Sequence, residues 1–320
     1  MMSWLNTYRR YACDISRINE MAKSDAKAFV DMTEEVYRND LRQIAEQILT
    51  IPVKRHIIML SGPSSSGKTT SAQKLADEFR LKGCEVQHIS MDDFYLGKDR
   101  VRRMPDGKPD FESVEALDIP LVKKSVKELS ETGRCDIPKY DFRNSRRTDI
   151  IQHLELPSNA VIIIEGIHAL NPIFNDVSAE ENASKIYVSV KQGIKNNEDY
   201  VLTNREIRCI RRLVRDNSFR EAPPEKLLEM WTDIVDGEKK YIRPYRYTSD
   251  FTVNSIHIYE PCIMKGFATR LLEQIDEKSD YYETAGHLIK SLSEFESIDT
   301  LLVPENSLMR EFIGGGNYVY

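Results

Sequence analysis

The chain has 320 residues, of which 41% are hydrophobic and 30% are charged, a balance typical of a globular protein with a substantial core. Its formal charge of -6 argues against a general nucleic-acid binder, which would usually present a basic surface. No apolar run reaches membrane-spanning length, and residues 1–19 are too polar for a signal peptide, so we predict a cytoplasmic protein without a nucleic-acid or membrane partner. The five cysteines are scattered and lack C-x-x-C spacing, which favours reduced thiols over disulfides or a zinc site.

An N-terminal helical arm, residues 1–52, is predicted from the helical spacing of apolar residues between positions 17 and 50. Its apolar stripe consists of Phe29, Met32, Val36, Leu41, Ile44, Ala45 and Ile48. The five-residue step from Val36 to Leu41 is compatible with a break or kink near Asn39 and Asp40. Because amphipathic faces are mostly buried, the arm is expected to pack on the rest of the chain or on a second subunit of a homo-oligomer.

A glycine-rich loop follows the arm and matches the pattern G-x-x-x-x-G-K-[ST]. It lies between a predicted strand, 56–61, and a predicted helix, 71–79, which is the context that a phosphate-binding loop requires. Backbone N–H groups of the loop and of the first helical turn would bind phosphate, and the Thr69 hydroxyl can ligate Mg²⁺. We therefore predict that ATP and Mg²⁺ are bound, with the nucleotide held by Gly62, Ser64, Ser65, Ser66, Gly67, Lys68, Thr69 and Thr70.

The remaining elements alternate between strand and helix. Further strands are predicted at 85–91, 160–164, 185–190 and 250–254. Further helices are predicted at 120–129, 202–216, 224–236, 261–276 and 280–296, while 97–115 and 138–148 are predicted to be loops. The pattern predicts an α/β fold of the P-loop NTPase type, a parallel sheet with helices on both faces. The P-loop core would span 53–260, and a C-terminal helical extension, 261–320, would pack on it.

Two carboxylates follow predicted strands at their carboxyl ends. Asp92 comes after the strand at 85–91, and Glu165 comes after the β-branched run at 160–164. Ligands bind at this edge of an open parallel sheet, although either acid could instead be ordinary turn material. We predict that Asp92 accepts the proton of an attacking hydroxyl and that Glu165, with Thr69, holds Mg²⁺.

An arginine stripe is predicted on one face of the helix near 202–216, formed by Arg208, Arg211, Arg212 and Arg215. Few acids are interleaved to offset the repulsion between these charges, whereas an ordinary solvated face would mix signs. We therefore predict a lid, about residues 205–222, that closes over the triphosphate and neutralises the charge that develops in transfer.

Taken together, these motifs resemble the uridine kinase family, within the phosphoribulokinase/uridine kinase group. The resemblance covers about 55–260 and is carried by the glycine loop, Asp92-Asp93-Phe94-Tyr95, Asp110-Phe111-Glu112, Pro138-Lys139-Tyr140-Asp141-Phe142, Glu165-Gly166-Ile167-His168 and the run from Arg208 to Asp216. The tail from Pro304 to Gly315 looks like the ending of the longer bacterial uridine kinase-like proteins. It implies that Asp92 is the catalytic base, that Lys68 contacts phosphate and that Arg211 and Arg215 belong to the lid. It also implies an acceptor site formed by Glu112, Tyr140, Phe142 and Arg208.

The acceptor segments depart from that family in two respects. Glu112 stands where the family usually has an aspartate gripping the ribose, and its extra methylene would displace a ribose by about 1 Å. Ser145 replaces a histidine that helps to read a pyrimidine, and three arginines crowd the same loop, namely Arg143, Arg146 and Arg147. A basic acceptor site would suit an anionic substrate.

The sequence thus predicts an ATP- and Mg²⁺-dependent kinase that phosphorylates a primary hydroxyl, with the 5′-hydroxyl of a nucleoside as the expected acceptor. One alternative is a kinase of the same fold that acts on another small alcohol, such as a sugar phosphate or pantothenate. A second is a nucleotide-binding regulatory module without an acceptor. Against this second reading, Asp92 and the arginine stripe have no evident use in a passive binder.

Overall fold

The computed structural model describes residues 13–104, 107–141, 144, 146–176 and 183–318. Its strands are β1 (His56–Ser61), β2 (Val86–Ser90), β3 (Arg134–Asp141), β4 (Arg146–Glu155), β5 (Val161–Glu165), β6 (Ala183–Ser189), β7 (Ile194–Asn196), β8 (Asp199–Leu202) and β9 (Phe251–Asn254). Its α-helices are α1 (Ile15–Ser24), α2 (Ala26–Leu49), α3 (Lys68–Leu81), α4 (Ile119–Thr132), α5 (Asn204–Arg220), α6 (Pro224–Tyr241), α7 (Glu260–Leu272), α8 (Tyr282–Ser293) and α9 (Arg310–Ile313).

The centre of the fold is a five-stranded sheet with the strand order β2-β5-β1-β6-β9, in which every neighbouring pair runs parallel. Successive side chains of a strand point to opposite faces, and here both faces are covered. Ile58 and Leu60 of β1 belong to one hydrophobic cluster, whereas Ile57 and Met59 belong to another on the opposite face. The predicted parallel α/β sheet with helices on both faces is confirmed.

From residue 13 onward, where the structure describes it, the N-terminal arm consists of two helices that share a hydrophobic cluster with the sheet. The helical break lies at Asp25, not near Asn39 and Asp40 as the apolar spacing had suggested. Asp25 ends α1 and caps α2, because its carboxylate accepts a hydrogen bond from the Ala28 N–H at 2.9 Å. The helix α2 continues without a break through the five-residue gap in the apolar pattern after Val36. The polar Asp40 is itself buried within this gap.

Two antiparallel hairpins stand outside the main sheet, and the sequence did not predict them. The prediction of a loop over 138–148 was wrong, because β3 and β4 form a hairpin with a register shift between Pro138 and Tyr140. Proline is tolerated at such an irregularity, and most side chains of β4 face solvent, so neither strand has the buried apolar run of a central strand. The second hairpin, β7–β8, turns at Asn197, whose φ of 54° is accessible to asparagine.

The C-terminal helices complete the cluster that contains α1 and α2, with Leu288, Leu292 and Phe312 fully or almost fully buried. None of the five cysteines is in a disulfide. Within the described ranges, no helix combines the length and apolar character needed to cross a membrane.

Candidate active site

The carboxyl ends of three neighbouring strands meet at one edge of the sheet. Leu60 of β1 and Ser90 of β2 both align with Glu165 of β5. The glycine-rich loop follows β1, Asp92 follows β2, and Glu165 is the last residue of β5. The structure therefore brings together three of the segments predicted to form a site, at the sheet edge where ligands bind in such folds.

The glycine-rich loop adopts a conformation suited to an anion. Ser65 and Gly67 have φ values of 55° and 82°, and Gly67 precedes α3 without any side-chain cap. A Cβ on Gly62 would lie 2.1 Å from the Val188 carbonyl oxygen, so only glycine fits there. The buried hydroxyls of Ser65 and Ser66 have no hydrogen-bond partner among the described residues. Unpaired donors at a helix N-terminus form a phosphate-binding cradle.

The predicted metal ligands Thr69 and Glu165 are in contact. The Thr69 hydroxyl donates to Glu165 Oε1 at 3.2 Å, and the Ser90 hydroxyl donates to the same oxygen at 3.2 Å. A hydroxyl and a carboxylate fit Mg²⁺, which takes oxygen ligands and usually completes its shell with phosphate oxygens and water. The described residues contain no group of three His, Cys, Asp or Glu side chains that could hold a metal alone. The pair would therefore bind Mg²⁺ together with a nucleotide.

Asp92 lies in a short turn, Met91–Phe94, beside this pair. Burial, together with the neighbouring charge of Glu165, raises its pKa to about 6, against the opposing influence of Lys68. The adjacent Asp93 has another role, because it accepts hydrogen bonds from Lys139 Nζ at 2.6 Å and from the Tyr140 N–H at 3.2 Å. Asp93 thereby anchors the β3–β4 hairpin beside the site.

The predicted acceptor residue Glu112 packs against α6. A Cβ on Gly237 of that helix would lie 2.8 Å from Glu112 Cβ, so the close approach depends on glycine. Burial raises the pKa of Glu112 to about 7, although Arg212 and Lys68 oppose that shift. On the hairpin side, the Tyr140 ring lies 5.9 Å from the Tyr95 ring. Phe142, the other aromatic residue of the predicted acceptor site, lies outside the described residues.

The arginine stripe lies along the glycine-rich loop. Arg208 Nη1 donates to the Ser64 carbonyl at 3.4 Å, Arg211 Nη1 to the Ser65 carbonyl at 3.4 Å, and Arg212 Nη1 to the Ser64 hydroxyl at 2.8 Å. These contacts place the stripe against the loop that is predicted to bind phosphate.

The charges of the stripe are offset by acids, contrary to the expectation from the sequence. Arg208 pairs with Glu238 at 2.6 Å, Arg211 pairs with Glu260 at 2.6 Å, and Arg215 pairs with Asp216 at 2.8 Å. Glu238 and Glu260 lie on other helices, so the local sequence of α5 does not reveal them. Arg211 is fully buried, and its guanidinium donates hydrogen bonds to Glu260, to the Ser255 carbonyl and to the Ser65 carbonyl of the loop.

The sequence did not predict two residues that contact the site residues, Glu311 and Gly237. Glu311 of α9 accepts a hydrogen bond from the Thr70 hydroxyl at 2.6 Å, although the two residues are 241 positions apart. No motif in the sequence joins the C-terminal segment to the loop. Gly237 was missed for a similar reason, since a single glycine inside a helix predicts a close contact without naming the partner.

Comparison with known proteins shows which family the core of the chain resembles. The model of the family described as phosphoribulokinase / uridine kinase matches residues 57–259. The uridine kinase of Lactobacillus johnsonii is 29% identical over 202 residues, which is 62% of this chain and 87% of that protein. The uridine kinase of Borrelia hermsii is 30% identical over 205 residues, covering 62% of this chain and 85% of that protein.

Solved structures give more distant matches. A possible uridine kinase from Bacillus stearothermophilus has a TM-score of 0.45 and 17% identity, covering 67% of this chain and 97% of that one. Phosphoribulokinase from Rhodobacter spheroides has a TM-score of 0.43 and 20% identity, covering 61% of this chain and 68% of that one.

Proposed function

Since the chain belongs to the phosphoribulokinase/uridine kinase family of phosphotransferases, we propose that it transfers the γ-phosphoryl group of ATP to the 5′-hydroxyl of a nucleoside. The observation that carries this proposal is the position of Asp92. Its carboxyl lies at the same sheet edge as the phosphate loop and the Thr69–Glu165 pair, so a hydroxyl bound there would be close to both a base and a phosphate. A passive nucleotide-binding module would have no use for that carboxylate.

Each residue near the loop has a distinct task in this proposal. Backbone N–H groups of the loop and Lys68 hold the triphosphate, and Lys68 stabilises the charge of the transferring group. Asp92 accepts the proton of the acceptor hydroxyl. Thr69 and Glu165 would hold Mg²⁺, which would supply positive charge to offset the negative charge of the phosphates. Arg215, which is only partly buried, is the arginine of the stripe best placed to contribute a further positive charge.

The surroundings of Glu112 favour a neutral acceptor over an anionic one. Arg147 is held by the Asp118 carboxylate at 3.1 Å and the Phe94 carbonyl at 3.4 Å, and Arg146 is exposed on the hairpin. Arg143 lies outside the described residues. The half-buried carboxyl group of Glu112 can accept hydrogen bonds from hydroxyls, and in its ionised form it would repel a phosphate group. The sugar hydroxyl pair of a nucleoside would be able to donate such hydrogen bonds to Glu112.

The experiment that tests this function is a coupled assay of ADP release. Nucleosides, sugar phosphates and pantothenate would be compared as acceptors at fixed ATP and Mg²⁺. The proposal expects turnover with a nucleoside, and turnover confined to an anionic acceptor would refute it.

Asp92→Asn should lower kcat by about 100-fold or more while leaving ATP affinity nearly intact, because it removes only the base. Near-normal turnover by Asp92→Asn would remove that residue from the mechanism.

A further inference from the structure

The C-terminal segment, residues 304–318, packs directly on the phosphate loop, although it lies outside the part of the chain that the family model matches. A Cβ on Gly67 would come within 2.6 Å of Leu308 Cδ1, and Leu308 is fully buried. Lys74 of α3 donates to the Asn306 carbonyl at 2.6 Å. The segment is therefore fixed to both the loop and the helix that follows it.

Glu311 is the residue of this segment that reaches the nucleotide-binding turn. Its Oε2 accepts a hydrogen bond from the Thr70 hydroxyl at 2.6 Å and from the Thr70 N–H at 3.4 Å. Its other oxygen, Oε1, lies 3.7 Å from Arg215 Nη1. Glu311 is only 6% exposed, so these contacts are made away from bulk solvent.

These contacts link two groups that act on phosphate. The Thr70 N–H belongs to the first turn of α3, where backbone donors have no partner within the helix and a carboxylate is favourable. Arg215 lies between Asp216 and Glu311, so the position of its guanidinium depends on both acids. A buried carboxylate is costly unless it is paired, which indicates that Glu311 is held in a single arrangement.

We propose that Glu311 is a positioning residue of the nucleotide site, which fixes Thr70 and Arg215 against the phosphate loop so that the C-terminal segment contributes to triphosphate binding. This inference rests on the proposed ATP-dependent function. It assigns to a segment outside the family match a direct part in the site.

The test measures binding of Mg-ADP and a non-hydrolysable Mg-ATP analogue by calorimetry, together with KM for ATP and for the acceptor. Glu311→Ala should weaken nucleotide binding by about tenfold, as expected when a charged hydrogen-bond partner is lost. Glu311→Gln should recover part of the affinity, because its amide oxygen can still accept from the Thr70 hydroxyl. The KM for the acceptor should stay constant at saturating ATP. A general loss of folded protein would instead lower the apparent kcat and leave the nucleotide affinity and both KM values unchanged.

The matched control is Glu305→Gln, which changes an exposed carboxylate of the same segment and should leave nucleotide binding unchanged. Unchanged affinity in Glu311→Ala would overturn the inference. Tighter binding would overturn it too, since it would mean that the carboxylate competes with phosphate. If Glu311→Ala does not fold, the single variants Glu311→Gln and Thr70→Val are compared with the variant that carries both changes. Additive effects of the two changes on nucleotide affinity would refute the coupling between Glu311 and Thr70. Failure of the wild-type chain to bind nucleotide would instead refute the proposed function itself.

Discussion

At the scale of single residues, the surroundings of Asp92 bear on its proposed role as the base. Its ordinary pKa is 3.8, and burial beside Glu165 raises it to about 6, while Lys68 limits the rise. A base with a pKa near the working pH accepts a proton more effectively than an exposed aspartate does. The neighbouring Glu165 is also buried, at 4% exposure, and it accepts a hydrogen bond from the half-buried Thr69 hydroxyl.

The raised pKa of Asp92 predicts an acidic limb in the pH profile. The base must be deprotonated, so kcat/KM should be nearly constant above pH 7 and should fall as the pH drops through about 6. An exposed aspartate would place this limb near pH 4. Glu112, with a pKa of about 7, titrates nearby, so the profile is compared with that of Glu112→Gln. The acidic limb at about pH 6 should persist in Glu112→Gln and disappear from the residual activity of Asp92→Asn. If the limb is lost in Glu112→Gln, it reports the titration of Glu112 and the prediction for Asp92 is wrong.

At the scale of elements, α6 sets the position of the acceptor residue through Gly237. Its Cα faces Glu112 so closely that a Cβ would lie 2.8 Å from Glu112 Cβ and 2.9 Å from Glu112 Cγ. Contacts this short force one of the two elements to move. Glycine costs helix stability relative to alanine, so its presence here is explained by packing and not by helix propensity.

Gly237→Ala should therefore raise the acceptor KM by about tenfold or more while KM for ATP changes little, because Glu112 is displaced and the phosphate loop is not. Steady-state kinetics with each substrate varied in turn measures the two constants. Gly286→Ala is the matched control, since Gly286 also lies inside a helix but a Cβ there would meet nothing within 4 Å. In this control variant both KM values should be unchanged, and the free energy of unfolding should rise by up to about 1 kcal/mol. Equal KM changes for ATP and acceptor in Gly237→Ala would contradict the assignment of Glu112.

The helix α5 divides into a fixed part and a more exposed end. Ile207, Ile210 and Val214 are buried, whereas Ser218 to Glu221 are exposed and Glu221 has a φ of 55°. If a lid closes over the nucleotide, the movement is expected in 217–223, a narrower segment than the predicted 205–222. The buried half carries the arginines that already contact the loop.

Hydrogen exchange can locate this movement. Amides of 207–214 should be protected in the free protein, and amides of 217–223 should gain protection when a non-hydrolysable ATP analogue and acceptor are added. The wild-type protein with acceptor alone serves as the control, because closure is expected to require the triphosphate. Uniform gains over 205–222 would favour the wider lid, and no gain in either half would refute closure by this helix.

The sequence predicted those elements whose signals are local. The phosphate loop, the strands at the centre of the sheet and the strand-end positions of Asp92 and Glu165 follow from short patterns of residue type. The hairpin β3–β4 was not predicted because β4 is mostly exposed and β3, which is partly buried, contains Pro138 and lacks a continuous apolar run. Ion pairs between distant residues could not be predicted for another reason. Arg211 and Glu260, for example, are 49 positions apart, and only the fold brings them together.

At the scale of the whole molecule, one buried polar network joins the N-terminal arm, the core and the C-terminal segment. Glu34 of α2 accepts hydrogen bonds from the hydroxyls of Tyr259, at 2.6 Å, and Ser307. His257 Nε2 lies 3.5 Å from Glu34 Oε1, and Lys74 Nζ lies 3.8 Å from Glu34 Oε2. Because the network crosses the predicted segments 1–52, 53–260 and 261–320, we expect these segments to unfold together.

This network predicts how stability depends on acid. Burial alone would raise the pKa of Glu34, but the charges of His257 and Lys74 and its hydrogen bonds lower it from 4.5 to about 2. A carboxyl with a lowered pKa in the folded state contributes stability that is present above about pH 4.5 and is lost as the pH falls through about 2. The difference corresponds to on the order of 3 kcal/mol at about 1.4 kcal/mol for each pKa unit.

Glu34→Gln should accordingly lower the free energy of unfolding at pH 7, and its deficit relative to the wild-type protein should shrink between about pH 4.5 and pH 2. Urea unfolding followed by circular dichroism at a series of pH values measures both quantities. Glu35→Gln is the control, because Glu35 is exposed, pairs with Arg38 at the surface and should cost no more than about 1 kcal/mol. A deficit for Glu34→Gln that does not change with pH would mean that the shape of the side chain matters and its charge does not. Separate unfolding transitions for the three segments would contradict their coupling, because a carboxylate bonded to all of them stabilises each one only while the others remain folded.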